Sequence, residues 1–173
     1  MPRGSDHEAV VITGVYGVGK SSLAQEMAHL LEKRNASYAI LDLDFLGWYS
    51  TPGRQEHRAD ELWLTNTASV AATYRAAGVQ RFLVPGSMRD RAEFEALREA
   101  LDMPVRVLRL TVTLDEIGRR LAADVTTGRQ DDLREAATWL AEGTGEGLED
   151  LTIANDRPIR EIAIEALDWL GWD

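Results

Sequence analysis

The chain has 173 residues, with 19 basic against 29 acidic side chains for a net charge of −10, 45% hydrophobic content and no cysteine. That size and apolar content suit one globular domain with a real core, while the acidity argues against a protein that coats nucleic acid, and zero cysteines exclude disulfides, thiolate metal sites and a cysteine nucleophile. His7, His29 and His57 show no ligand spacing, and no apolar run approaches a membrane span or a signal-peptide core, so a cytoplasmic protein with neither membrane nor nucleic-acid partner is expected.

Residues 1–7 read as a polar, disordered lead-in, and 8–173 as a single domain with no internal repeat or linker. Ala9-Val10-Val11-Ile12 is a short apolar run of the kind that forms a buried strand, and Ser21 to Lys33 has helical character. Between them, Gly14-Val15-Tyr16-Gly17-Val18-Gly19-Lys20-Ser21 spells G-x-x-x-x-G-K-[ST], the phosphate-binding P-loop. Its glycines let successive N–H groups turn inward onto phosphate oxygens. Lys20 adds a mobile charge for the β- and γ-phosphates, and the Ser21 hydroxyl, with Ser22 beside it, opens the following helix as a ligand for Mg²⁺. Of the 19 basic residues only Lys20 and Lys33 are lysine, so a compact ammonium stands in the loop of an otherwise arginine-rich chain. A nucleoside triphosphate is the expected ligand.

Further on, Tyr38 to Leu43 is a second strand-like run ending at Asp44, and Ser50-Thr51-Pro52-Gly53 punctuates a loop. Residues from about Glu56 to Ala77 predict a long helix with Leu62, Asn66, Val70, Thr73 or Tyr74, and Ala77 on one side, stopped by Gly78. Val79 to Val84 predicts a third strand, Asp90 to Leu101 a helix, Val105 to Val112 a fourth strand and Leu114 to Ala123 a helix that ends at Thr126-Thr127-Gly128. Asp131 to Ala141 is helical, Gly143 to Gly147 a flexible connector, Leu151 to Ala154 the fifth strand, and Pro158 to Leu170 a last helix with a clean apolar stripe. This alternation predicts an α/β fold with a parallel sheet.

The chain lacks the Asn-Lys-x-Asp guanine-reading motif of signalling GTPases, and its strands lack the terminal Asp-Glu that polarises water in motor ATPases. It carries instead Leu41-Asp42-Leu43-Asp44-Phe45-Leu46. Alternate strand residues share a face, so both carboxylates aim at the crevice where the P-loop opens. One can hold Mg²⁺-bound water or position the loop, and the other can take the proton of an attacking hydroxyl. Phe45, Trp48, Tyr49 and Arg54, with Arg89 or Arg91, suit a ring-bearing or anionic acceptor, although Trp48 and Tyr49 fit ordinary core equally well.

In Gly14 to Ser21, in Leu41 to Leu46 and in the ending Ile153-Ala154-Asn155-Asp156 through Leu170-Gly171-Trp172, the sequence resembles the small-molecule P-loop kinases. These are gluconate kinase, adenylylsulfate kinase, shikimate kinase and chloramphenicol phosphotransferase; actinobacterial adenylylsulfate-kinase-like proteins are similar too. The resemblance covers the whole layout, with the P-loop its most specific part. It implies a three-layer α-β-α P-loop NTPase, a five-stranded parallel sheet in order 2-3-1-4-5, and a lid at about 119–132. It implies ATP and Mg²⁺ as cofactors, with γ-phosphoryl transfer to a hydroxyl of a small-molecule acceptor by a monomer or homodimer. Asp42 matches the acid near Mg²⁺, alongside Ser21, and Asp44 the one that contacts the acceptor hydroxyl. Phosphoryl transfer needs positive charge over the migrating group, for which Arg120 is the first lid candidate and Arg129 the second. Asn155 and Arg157 match positions that touch adenine in such kinases. The sequence departs from the pattern at Asp124, where these lids often carry another arginine. A nucleotide-binding regulatory protein without an efficient acceptor reaction and a nucleoside or nucleotide kinase stay open as alternatives.

Overall fold

Short β-branched runs between breakers form the strands, and longer amphipathic stretches form the helices. The computed structural model describes residues 7–49, 59–122 and 129–172. In chain order it contains β1 (Glu8–Thr13), α1 (Lys20–Lys33), β2 (Tyr38–Ile40), α2 (Leu43–Leu46), α3 (Ala59–Ala76) and β3 (Arg81–Pro85). There follow α4 (Arg91–Leu101), β4 (Val105–Thr111), α5 (Leu114–Ala122), α6 (Arg129–Glu142), β5 (Leu151–Ala154) and α7 (Ile159–Leu170). The five strands form one parallel sheet in order β2-β3-β1-β4-β5. This is the order the resemblance implies.

β1 lies at the centre, with Val11 opposite Val84 on one side and Val107 on the other. It is covered on both faces, which is why it reads as a continuous apolar run. Val10 and Ile12 face a core shared with α1, α5 and α7, and Ala9 and Val11 face a second core shared with α3 and α4. Helices therefore flank the sheet in three layers. The α7 stripe of Ile162, Ala163, Ala166, Leu167 and Leu170 is buried as its spacing predicts. Beyond it, Trp172 is buried and donates its indole N–H to Glu8 at 2.8 Å, so the last turn is bolted to the first strand. Among the described residues, no helix is long and apolar enough to cross a membrane.

Three local expectations are corrected. The second strand ends at Ile40, not Leu43, and the chain turns into the single-turn helix α2, capped by the Asp42 carboxylate on the Asp44 N–H at 3.1 Å. Leu43 then fills the space beside Gly86, where a β-carbon would come within 2.5 Å of it. On α3 the core-facing side is the buried Thr67 and Ala71 with the partly buried Trp63, Leu64 and Val70; of the expected line Val70 packs as expected, whereas Leu62 and Tyr74 are exposed. The Gly143–Gly147 connector is a docked turn. Its Gly145 N–H donates to the Arg89 carbonyl at 3.0 Å, and its Glu146 pairs with the buried Arg109 of β4 at 3.1 Å. His7, expected in the lead-in, donates from Nδ1 to the Val79 carbonyl at 2.7 Å. Residues 1–6 lie outside the described residues.

Candidate active site at the carboxyl edge of the sheet

β1 ends at Thr13, and the loop to α1 must reverse within six residues while keeping its amides free for a ligand. Gly14 makes this geometry with φ of 138°, and a β-carbon there would sit 2.6 Å from the Leu110 carbonyl oxygen. No ordinary side chain fits that position. α1 begins at Lys20 without a side-chain cap, so its first N–H groups and its positive dipole end open onto the loop.

Lys20 is only 6% exposed, and its Nζ donates to the carbonyls of Gly14 at 3.0 Å and Val15 at 3.1 Å. It also lies 5.2 Å from the centre of the Tyr16 ring. Burial holds its pKa below the ordinary lysine value, and the charges of Asp44, Asp42 and Glu135 oppose that shift. A desolvated ammonium held by its own loop is a site built for an anion with stronger acceptors than peptide carbonyls.

The Ser21 hydroxyl donates to Asp42 Oδ2 at 2.8 Å, while Asp42 Oδ1 accepts the Asp44 N–H. One carboxylate thus braces both the helix that starts the P-loop grip and the turn that carries Asp44. The two acids converge through this capping turn, not through the strand alternation expected of them. A serine hydroxyl beside a carboxylate is a hard oxygen donor set that fits Mg²⁺, which takes few protein ligands and completes its shell with phosphate oxygens and water. Among the described residues, no group of three or more His, Cys, Asp or Glu forms an all-protein metal cage.

On the other side of the loop a cavity of about 750 Å³ opens between the ends of β4 and β5 and the start of α5. Thr111, Thr113, Glu116, Arg119, Asp156 and Arg157 are among its walls, and Arg120 and Asn155 form its border with the P-loop. Arg120 uses its whole fork: Nε donates to Glu116 at 2.9 Å, Nη1 to the Val18 carbonyl at 3.2 Å and Nη2 to the Asn155 carbonyl at 3.0 Å. The hydrogen bond from Arg120, helped by the charge of Arg119, holds the Glu116 carboxyl below the usual glutamate range. Arg157 pairs with Glu165 of α7.

The stretch after Asp44 is different. Phe45 is 69% exposed and Trp48 78%, their rings stacked with centroids 6.0 Å apart, and Tyr49 is exposed as well. These aromatics are not core. Arg89 is engaged with Glu93 through Nε at 3.3 Å and Nη2 at 3.0 Å. Arg54 lies outside the described residues, as do 123–128 of the lid with Asp124, and the side chain of Arg129, which opens α6.

Sequence reasoning missed the β3–α4 loop. Ser87 donates to the Gly14 carbonyl at 3.2 Å and Met88 N–H to Thr13 Oγ1 at 3.2 Å, so this loop clamps the root of the P-loop. It also missed Glu116, the partner that orients Arg120. The only signal for the first is Pro85-Gly86, a breaker pair just before the loop; Glu116 has none beyond its place one turn before Arg120.

No protein-family model and no curated protein matches this sequence. Similarity lies in solved structures. A sugar kinase from Janibacter sp. superposes with a TM-score of 0.67 at 22% identity over 95% of each chain. A gluconokinase from Sinorhizobium meliloti gives 0.63 at 21% identity, covering 98% of this chain and 94% of its own. An APS kinase from Mycobacterium tuberculosis in complex with AMPPNP and APS gives 0.62 at 23% over 99% of both. At such identities the likeness is one of fold. The strand order, the glycine loop and these superpositions define a P-loop NTPase architecture. The chain shares this fold with those three kinases.

Proposed function

We propose that the protein is a kinase of the small-molecule P-loop branch, moving the γ-phosphoryl group of ATP to a hydroxyl of a small acceptor. One observation carries the reading: buried Lys20 of the glycine loop feels the charges of Asp44 and Asp42, and Asp42 accepts the Ser21 hydroxyl at 2.8 Å. That corner supplies an anion grip, a hard-oxygen metal site and a base to one small volume.

In this reading the base occupies the cavity beside Asn155 and Arg157, and the phosphates lie along the loop amides from Gly14 to Ser22. Lys20 Nζ exchanges the Gly14 and Val15 carbonyls for β- and γ-phosphate oxygens, regaining in ion pairing what burial costs it. Ser21 and Asp42 would hold Mg²⁺, which when bound neutralises charge on the phosphate oxygens. The acceptor rests on Phe45, Trp48 and Tyr49, with Arg54 and Arg89 for its anionic groups. Asp44 takes the hydroxyl proton as the acceptor oxygen bonds to the γ-phosphorus and the bond to the β-phosphate oxygen breaks, leaving ADP. Arg120, whose Nη1 donates to the Val18 carbonyl, and Arg129 supply positive charge to the migrating group. The APS kinase structure with AMPPNP and APS supports a nucleotide and an anionic acceptor sharing such a cleft.

The test is acceptor-dependent ADP release with a panel of nucleosides, sugar acids and aminoglycoside-like alcohols. The expected result is turnover with one chemical class. Binding of ATP with no turnover on any class would favour a regulatory protein. No calorimetric heat with magnesium and either purine triphosphate would remove the enzyme reading altogether.

A further inference from the structure

The Val18–Gly19 peptide forms the crown of the P-loop, and it is held from outside by two side chains. Asn155 follows β5 and is fixed by its own N–H to the Thr111 carbonyl at 2.8 Å. Its side chain is 6% exposed, and Nδ2 donates to the Val18 carbonyl at 2.7 Å. Arg120 Nη1 joins the same oxygen at 3.2 Å, and Arg120 Nη2 ties back to the Asn155 carbonyl at 3.0 Å. A carbonyl oxygen has two lone pairs, and here each faces a donor. Only the amide nitrogen can donate to a carbonyl, so the orientation of the Asn155 amide is settled by chemistry.

The peptide is planar and trans, which sets the Gly19 N–H opposite to the Val18 C=O. Pulling the carbonyl toward β5 therefore turns that N–H away from β5, into the loop. Gly19 sits at φ of 104°, and a β-carbon there would come 2.7 Å from Asn155 Nδ2. The Asn155 amide occupies the space that the missing side chain leaves. A peptide beside glycine rotates readily unless something holds it.

We infer that Asn155 is a positioning residue for the phosphate grip, holding the loop crown so that the Gly19 amide faces the triphosphate, and not a reader of the nucleotide base. This rests on the P-loop binding a triphosphate as proposed above. It replaces the adenine contact that the family resemblance implies for this position. Asn155 borders the base cavity, so base reading is the competing role.

The two roles separate by ligand. Affinities of wild type, Asn155→Ala and Asn155→Asp are measured by calorimetry for ATP, GTP and inorganic tripolyphosphate, each with magnesium. Loss of one buried hydrogen bond at the crown is expected to weaken all three ligands by the same factor, about tenfold, with the melting midpoint close to wild type. Asn155→Asp keeps the volume but turns an acceptor toward the Val18 carbonyl, and carries the same comparison if the alanine variant does not fold. A loss confined to the nucleotides, with tripolyphosphate unaffected, would overturn the inference and make Asn155 a base reader. Equal affinities in wild type and variants would overturn it as well. Wild-type protein that binds none of the three would remove the proposed function along with this inference, whereas the first two outcomes leave that function standing.

Discussion

Asp42 of the loop corner and Phe45 of the aromatic shelf lie three positions apart in sequence, yet the two regions are built on opposite plans. At the corner the polar groups are buried or half-buried and committed: Lys20 to two loop carbonyls, Ser21 to Asp42, Asn155 and Arg120 to Val18. On the shelf, Phe45 and Trp48 touch each other and otherwise stand in the open. In the proposed reaction the corner meets the triphosphate, the ligand part that never changes, and a pre-oriented site avoids reorganisation when charge moves. The shelf is the proposed seat of the acceptor, and open aromatic faces of this kind provide contact area without dictating a single partner.

Substitutions at the corner should therefore strike chemistry and triphosphate binding, and those on the shelf acceptor recognition alone. The largest effect is expected at Lys20. Lys20→Ala should lower kcat/KM for ATP by about 10³-fold, and Lys20→Arg should not restore it because a planar fork does not fit the loop. Steady-state kinetics with nucleotide titration checks both. Asp44→Asn comes next: kcat should drop about 10²- to 10⁴-fold while ATP affinity stays near wild type, since the base acts only as the proton leaves. Wild-type turnover in that variant would remove Asp44 from the mechanism.

A smaller effect is expected on the shelf. Phe45→Ala combined with Trp48→Ala should raise the acceptor KM about tenfold, the worth of roughly one aromatic contact, with ATP binding unchanged. Because both rings are exposed, stability should stay within about 0.5 kcal/mol by thermal unfolding. A large loss of stability would mean that the two regions are not separate.

The smallest effect is a pH signature. Burial lowers the Lys20 pKa from its ordinary 10.5, so between the lowered value and 10.5 the unfolded chain binds more protons than the folded one. Stability relative to Lys20→Met should rise with pH through that window. Triphosphate binding should be accompanied by proton uptake at alkaline pH, seen as a buffer-dependent calorimetric heat.

How far the molecule was legible in its sequence varies with the distance over which each feature is decided. The P-loop was readable in full, because eight contiguous residues encode a backbone shape and its charge. Asp42 and Asp44 were readable as a pair, but their route to one site was not. An aspartate followed by Leu43, Asp44 and Phe45, with no β-branched residue among them, caps a turn as readily as it ends a strand, and the fit of Leu43 against Gly86 favours the turn. On α3 the predicted face held at Val70 and failed at Leu62 and Tyr74, since which side of a mixed helix is buried depends on what it meets, here the core around Phe82, Val84 and Leu97.

Local pattern alone determined the alternating α/β architecture, the glycine loop and its lysine, the acidic pair and the buried stripe of α7. Strand order came from family resemblance and was borne out. Only the tertiary structure decided that Ser87 grips Gly14 across 73 positions, that Asn155 grips Val18 across 137, and that the aromatics after Asp44 face outward. Periodicity and motif are written in neighbouring residues, whereas a hydrogen bond between distant ones exists only after the sheet has brought their backbones to one edge.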